Sequence, residues 1–340
     1  MVWRFKWFIR TFKWTKRLGV ENLNNNENTN KSLMENALVI LIMSLYIVYG
    51  IYYVPLLIIF IPVPFVVLGM RNGLKNNIIS MAITSLIVAL VLDIPSALIL
   101  LLIFGPLSIA LNYCIKKRKK TWEIIVISTL ALFLSLLIIT SIGRFSTELG
   151  PTGESEEIWS EIVTIQTERF KEVGMTNTQV FENIEMLEAA YKYMLIVLPS
   201  ILIIASIIIS FSNYLLSTAI LRRMGYGMVN RPRLSRFKLP ENIIMGSGIM
   251  FITAIIMGWL DLPYHNALLL NISLLVGFIF FLQGLAVIDF LLIKMKMRKT
   301  FRVLLLFISV VFVPLGGMLF FIGMFDSVFD MRKIGKRKSL

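Results

Sequence analysis

Few side chains within the apolar stretches of this chain can do chemistry, and most of those are amides. Asn213, Asn271 and Gln283 lie well inside apolar runs; Asp93, Asn112 and Asp289 lie near the ends of theirs. A polar group in hydrocarbon is costly until it finds a partner, so each amide must bond either a ligand or the next helix. Asn213, Asn271 and Gln283 are therefore the candidate ligand contacts, with interhelical bonding as the other use of the same atoms. Asp289 stands about one helical turn before Lys294 and Lys296, which predicts an ion pair at the end of its run. Asp261 and His265 flank Leu262-Pro263-Tyr264 and offer two metal ligands. Pro263 disturbs i,i+4 geometry there and a third ligand is not evident, so no bound metal is expected.

Other chemistries are excluded by residue type. Cys114 is the single cysteine and His265 the single histidine, which removes internal disulfides, cysteine-built metal sites and a His-Glu-x-x-His protease motif. There is no Gly-Lys-Ser/Thr phosphate loop, and Gly246-Ser247-Gly248 has no triad partners. Paired acids for proton transfer are missing from the apolar runs. The expectation is a non-enzyme without catalytic residues or cofactors, although Arg222, Arg223, Arg231, Arg233 and Arg236 can hold lipid phosphate.

The elements that must position the amides are transmembrane helices. Of 340 residues, 57% are hydrophobic and 16% charged, with mean hydropathy +0.80. Soluble domains average about 45–50% apolar and about 25% charged. Apolar spans read as 37–50, 52–69, 76–93, 96–114, 122–142, 194–221, 241–260, 267–293 and 303–325. The predicted fold is an all-α polytopic bundle of eight or nine spans with a small extracytoplasmic helical insertion. Gly50 and Pro55 divide the first long run into two short or tilted helices. Small-residue pairs (Ser80 and Thr84, Ser85 and Ala89, Ala254 and Gly258) mark close helix approach.

Charge sets the expected topology. Of the 34 Lys and Arg, 25 fall in residues 1–33, the turn Arg71–Lys75, the run Lys116–Lys120, and the stretches Arg222–Lys238 and Lys294–Arg302. Residues 144–192 hold four bases against ten of the chain's 20 acids. Basic loops face the cytoplasm, so the acidic segment lies outside and the N-terminus inside, at the plasma membrane. The net charge of +14 then reads as topology and attraction to the lipid bilayer rather than nucleic-acid binding. With nine spans the tail would lie outside, yet Arg332, Lys333, Lys336, Arg337 and Lys338 favour the inside. Pro314-Leu315-Gly316-Gly317 interrupts the last span and could make it re-entrant, so the side of the tail stays open.

The chain divides into a basic aromatic arm and Asn-rich tether (1–33), a first bundle (34–142), the insertion (143–193), a second bundle (194–325) and a basic tail (326–340). In the arm, Phe5, Phe8, Ile9 and Phe12 share one arc at helical spacing, and Lys6, Arg10, Lys13 and Arg17 the neighbouring one. Such a helix lies on anionic lipid; the alternative is a disordered basic tail. No cleavable secretory signal is expected, because the first apolar run begins near residue 37 without a small-residue cleavage site. Arg231, Arg233 and Arg236 are the matching membrane-surface or partner contacts of the loop before the seventh span. In the insertion, Ile158, Ile162, Ile165 and Phe170 form one helical stripe, and Phe181, Ile184, Leu187 and Tyr191 another. Gly174 separates them and Thr176 or Asn177 caps the second helix, which can continue into span 194–221. This hairpin reads either as a lid over a cavity or as a solvated cap.

Three motifs occur in order: Asn230-Arg231-Pro232-Arg233-Leu234-Ser235-Arg236-Phe237-Lys238-Leu239-Pro240, Leu282-Gln283-Gly284-Leu285-Ala286-Val287-Ile288, and Gly323-Met324-Phe325-Asp326 with Asp330 and Arg332. Together they resemble the YybS-like family of uncharacterised bacterial multi-pass membrane proteins, from about residue 34 onward. A weaker similarity links Ile61-Pro62-Val63-Pro64 and Gly73-Leu74-Lys75 to substrate-binding S components of energy-coupling-factor transporters. That similarity implies a small-molecule pocket near the outer face, a coupling membrane subunit and ABC-type ATPases as partners. Two departures from it are Leu41, four residues after Ala37 where a small residue is usual, and the number of spans. Two functions follow as expectations: binding or transport of a small molecule with partner-supplied energy, or a non-transporting scaffold in cell-envelope growth or division.

Overall fold

Apolar runs of this length become helices because a bilayer offers backbone N–H and C=O groups no partner except one another. The computed structural model describes residues 24–146, 150–226, 234–240 and 242–332, and among these all regular structure is helical. The arm carrying Lys6, Arg10, Lys13 and Arg17, and the loop residues Arg231 and Arg233, lie outside the described residues.

Helix α1 (Asn24–Leu45) continues through a π-helical turn, Tyr46–Gly50, and ends at Tyr53. Residues from Asn24 on are thus helical, where the Asn-rich stretch predicts a tether; continuity with an apolar helix outweighs weak local propensity. Gly50 is required, since a Cβ there would lie 2.4 Å from the Tyr46 ring. The expected division of the first long run falls at Val54, which leaves helical geometry (φ −136°, ψ 68°). A 3-10 turn, Pro55–Phe60, leads into α2 (Pro62–Asn72). Then come α3 (Leu74–Val91), α4 (Ile94–Lys116) and α5 (Thr121–Ser146). Asp93 caps α4 by accepting from the Ser96 backbone N–H at 2.6 Å.

The insertion is the predicted hairpin. Helix α6 (Gly150–Glu172) ends in a Schellman turn: Gly174, at φ +84°, lets the Met175 N–H reach the Phe170 carbonyl at 3.1 Å. Thr176 and Gln179 form a capping box that starts α7 (Asn177–Arg223), which runs without interruption from the hairpin into the membrane. Trp159 and Tyr191 stack at 4.5 Å between the two helices. The stripes depart from expectation in both helices: Val180 is buried while Phe181 is 69% exposed, and Ile162 and Ile165 of α6 are exposed.

The second bundle comprises α8 (Ile243–Trp259), α9 (His265–Lys294), α10 (Lys299–Val311) and α11 (Val313–Phe329). Among the described residues seven helical segments are long and apolar enough to cross a membrane, and α8 is a shorter apolar helix. The expected ninth span, 303–325, is instead divided between α10 and α11, which meet at a 108° bend. Helix α7 packs on α2 and α5 on one side and on α9 on the other, joining the two bundles.

The first bundle carries the part-buried ion pair of Arg71 with Glu35 at its basic end, and its deeper polar contacts are neutral. Ser108 Oγ donates to Asn77 Oδ1 at 2.8 Å, Asn112 Nδ2 to the Val66 carbonyl at 3.1 Å, and Ser85 Oγ to the Ala97 carbonyl at 2.7 Å. The small-residue pairs do permit close approach: Ser80, Thr84 and Ser85 are buried, and Gly258 lies against the His265 ring.

Candidate functional site

Two of the three intramembrane amides mend helices that proline has interrupted. Pro199 sits inside α7 and crowds the preceding turn. Asn271 of α9 inserts its amide between two backbone groups there: Nδ2 donates to the Ile196 carbonyl at 2.8 Å and Oδ1 accepts from the Ser200 N–H at 3.1 Å. These are the two groups that an unbroken helix would bond to each other. Ser200 Oγ adds a 2.6 Å bond to Asn271 Oδ1. Asn213 plays a similar part toward the 3-10 turn. Pro62, one 3-10 turn beyond Ile59, has no N–H to offer that carbonyl, and Asn213 Nδ2 donates to it at 2.8 Å. The second proton of the same nitrogen goes to the Ile209 carbonyl at 2.9 Å. Both neighbours of Nδ2 are acceptors, which fixes the amide orientation and leaves Oδ1 buried without a hydrogen bond.

Gln283 belongs to a different construction, at the end of the bundle where the basic loops gather. Its Oε1 accepts from the Leu239 N–H at 3.2 Å, and its Nε2 donates to Asp326 Oδ2 at 2.6 Å. Arg332 binds the same carboxylate oxygen through Nε and Nη2 at 3.1 and 2.8 Å. It also reaches the loop before α8, donating to the Ser235 carbonyl at 3.1 Å and the Phe237 carbonyl at 2.8 Å. Asp289 accepts from the Ser235 N–H at 3.0 Å and pairs with Arg302 at 2.9 Å. Lys238 pairs with Asp330 at 3.2 Å. Asp326, Arg332, Asp289 and Gln283 are all buried, with Asp326 only 1% exposed.

Local sequence explains how these groups meet. A Cβ on Gly284 would lie 2.0 Å from the Leu319 carbonyl oxygen, and one on Gly323 at 1.9 Å from that of Phe280. The two glycines let α9 and α11 touch backbone to backbone, which brings Gln283 within reach of Asp326. Asp330 then adopts a left-handed conformation (φ 43°) that ends α11 and turns Arg332 back onto Asp326. Three carboxylates face three cations, so the cluster is balanced in charge. Buried ions of this kind are tolerable only when paired and hydrogen-bonded, and here their bonds fix the backbone of residues 235–239. The arrangement is a clamp on a loop, and Arg236, at the crest of that loop, stays exposed.

The structure therefore distributes the candidate ligand residues. Asn271 and Asn213 bond α7 and the 3-10 turn, and Gln283 joins the clamp; the three are not brought to one cavity. The recess found beside α9 is a lipid-side groove lined by Ile204, Ser273, Gly277, Phe278, Gly316 and Phe320, among others, and is mostly apolar. Asp289 pairs with Arg302 rather than with Lys294 or Lys296, because the turn after α9 carries Arg302 back over the carboxylate. His265 Nδ1 lies 3.0 Å from the Leu262 carbonyl, a bond within its own turn. Asp326 and Arg332 are the functional residues that reading by spans passes over. Their only signal is that they share a motif series with Gln283 and the 230–240 loop.

The chain is similar to the "Uncharacterized protein YybS" of Bacillus subtilis (strain 168), 24% identical over 310 residues, covering 89% of this chain and 97% of the relative. No solved structure matches, so the similarity to S components has no support from that side. Gln283, Asp289, Arg302 and Asp326 lie within residues 37–327, with Asp330 and Arg332 just beyond; that stretch matches a family of predicted membrane proteins (DUF2232), and it is to this family that the chain belongs.

Proposed function

We propose that this protein is a membrane scaffold of the bacterial plasma membrane that presents a fixed, basic inner loop to an acidic partner in cell-envelope growth or division. The observation that carries the reading is Arg332, which bonds Asp326 and two loop carbonyls at once. Such a network orders a surface segment without enclosing a substrate. The clamp lies at the same end as Arg71, the run Lys116–Lys120 and Lys294, which the positive-inside rule assigns to the cytoplasm together with the N-terminus. A scaffold of this kind needs no catalytic residue, cofactor or metal.

The test is a mild-detergent pulldown of the tagged protein from its native host, wild type against Arg236→Ala, with proteomics of what is retained. Loss of a stoichiometric partner in the variant supports the scaffold. Retention of a coupling membrane subunit with ABC-type ATPases overturns it in favour of transport. One observation favours that second reading, small-molecule binding in the manner of an S component. Ser210 Oγ, Asn213 Oδ1 and Ser217 Oγ are buried without hydrogen bonds along one face of α7. Under that reading Asn213 contacts the ligand, and Asn213→Leu abolishes binding.

A further inference from the structure

The last apolar stretch has the composition of a span but not its path. Helix α10 has 13 residues and α11 has 17. At 1.5 Å per residue they measure about 20 and 26 Å; α8 also has 17 residues, so the path of α11 is decided by its bend and its direction rather than by its length. The 108° bend between α10 and α11 prevents them from adding up to one straight crossing.

The direction of α11 follows from its contacts with α9. Gly316 lies among Ser273, Leu274 and Gly277. The Phe320 ring meets Phe280 at 5.7 Å, Gly323 abuts Phe280 and Gly284, and Asp326 meets Gln283. Beyond it, Arg332 reaches Ser235, which is itself bonded to Asp289. Residue numbers rise together along both helices, so α11 runs parallel to α9, toward Lys294. Helix α10 sets out from that same end, where Arg302 pairs with Asp289. Both ends of the α10–α11 unit therefore lie at one end of the bundle.

We infer that α10 and α11 form a re-entrant hairpin that enters and leaves by the basic face, that the chain crosses the membrane eight times, and that α10 is embedded in the leaflet of that face against anionic lipid. The eighth crossing is α8, which runs antiparallel to α9: its Gly258 end adjoins His265, while the loop preceding it is bonded to Gln283 and Asp289. The reversal at depth is chemically tolerable. Phe312 leaves helical geometry after its N–H has closed α10 on the Ile308 carbonyl at 2.9 Å, and Pro314 has no N–H to satisfy. No residue of α10 is buried; Phe301, Leu304, Phe307, Ile308 and Val311 are exposed. Lys294, Lys296, Arg298 and Lys299 precede or open that helix, placing cations where headgroup phosphates lie. An even number of crossings also brings Arg332 to the face of the other basic segments, which removes the conflict between span count and tail charge.

This inference stands apart from the scaffold reading, because it concerns which positions share a face, whatever the protein recruits. Its test uses single cysteines in a Cys114→Ser background, at the exposed positions Met331, Lys117 and Val173. Intact cells and inverted vesicles are treated with a membrane-impermeant maleimide. Met331→Cys is expected to label in the same preparation as Lys117→Cys and not in the one that labels Val173→Cys. Labelling of Met331→Cys alongside Val173→Cys overturns the hairpin. A nitroxide on Phe307→Cys, in vesicles containing anionic lipid, is expected to collide with oxygen more than with an aqueous nickel chelate. The reverse order removes α10 from the leaflet.

Discussion

In the core of the first bundle, buried polar atoms meet as neutral pairs: Ser108 with Asn77, Asn112 with the Val66 carbonyl, Ser85 with the Ala97 carbonyl; the part-buried ion pair of Arg71 with Glu35 lies at its basic end. At the basic end of the second bundle they meet as ions: Asp326 with Arg332, Asp289 with Arg302, Lys238 with Asp330. Depth accounts for the difference. A neutral amide can be placed anywhere along a span at modest cost, because only hydrogen bonds must be replaced. A charge needs a counter-ion and proximity to the interface. Asp289 lies five residues before Lys294, about 7–8 Å along the helix, while neutral Gln283 lies about 16 Å in. At its deeper end the clamp adds a neutral amide to an ion pair, since Gln283 donates to the carboxylate that Arg332 holds. Neutral contacts join helices along their length, and the ionic ones gather at the basic end, where they hold a loop and the start of α10 to α9 and α11.

That contrast can be broken most severely at Arg332. Arg332→Ala leaves Asp326 buried and unpaired, with an expected loss of about 3–5 kcal/mol, read as a large drop in melting temperature in detergent. Arg332→Gln combined with Asp326→Asn should recover part of it, because no charge is then stranded. Next comes Gly323→Ala, which drives a methyl into the Phe280 carbonyl and separates α9 from α11. We expect about 1–3 kcal/mol, with the Gln283–Asp326 bond lost at the same time. Asn213→Leu tests the neutral side and should cost about 1–2 kcal/mol, since the Ile59 carbonyl is left without a donor. Thr176→Ala removes the α7 cap outside the membrane for about 1 kcal/mol, seen as faster amide exchange in residues 177–180 only. The smallest effect on stability belongs to Arg236→Ala, within about 0.5 kcal/mol, and any loss of partner there is separable from folding.

Much of this architecture is legible in the residues. Apolar length and the Gly50–Pro55 interval mark the first two helices, and Thr176 with Gln179 marks the start of α7. Gln283 is conspicuous because an amide inside a span must bond something. What sequence cannot convey is which something. The proline sites at 62 and 199 predict missing backbone bonds, but only packing shows Asn213 and Asn271 supplying them. Asp289 has lysines one turn away, and a cation from the next helix takes the carboxylate instead. Asp326 and Arg332 read as the start of a solvated tail as long as 303–325 is taken for a crossing. They become interior residues once α11 turns back along α9.

Helix α7 extends 47 residues from its cap in the hairpin to Arg223. That is about 70 Å of continuous rod, more than twice the thickness of the hydrocarbon core. With Asn271 splinting the rod at Pro199, the hairpin of α6 and α7 has no hinge within the rod about which to swing. A push on the hairpin is conveyed as tilt or rotation of the whole shaft, and the shaft ends beside the basic loop. In this respect α7 is one shaft that couples the hairpin to the basic loop.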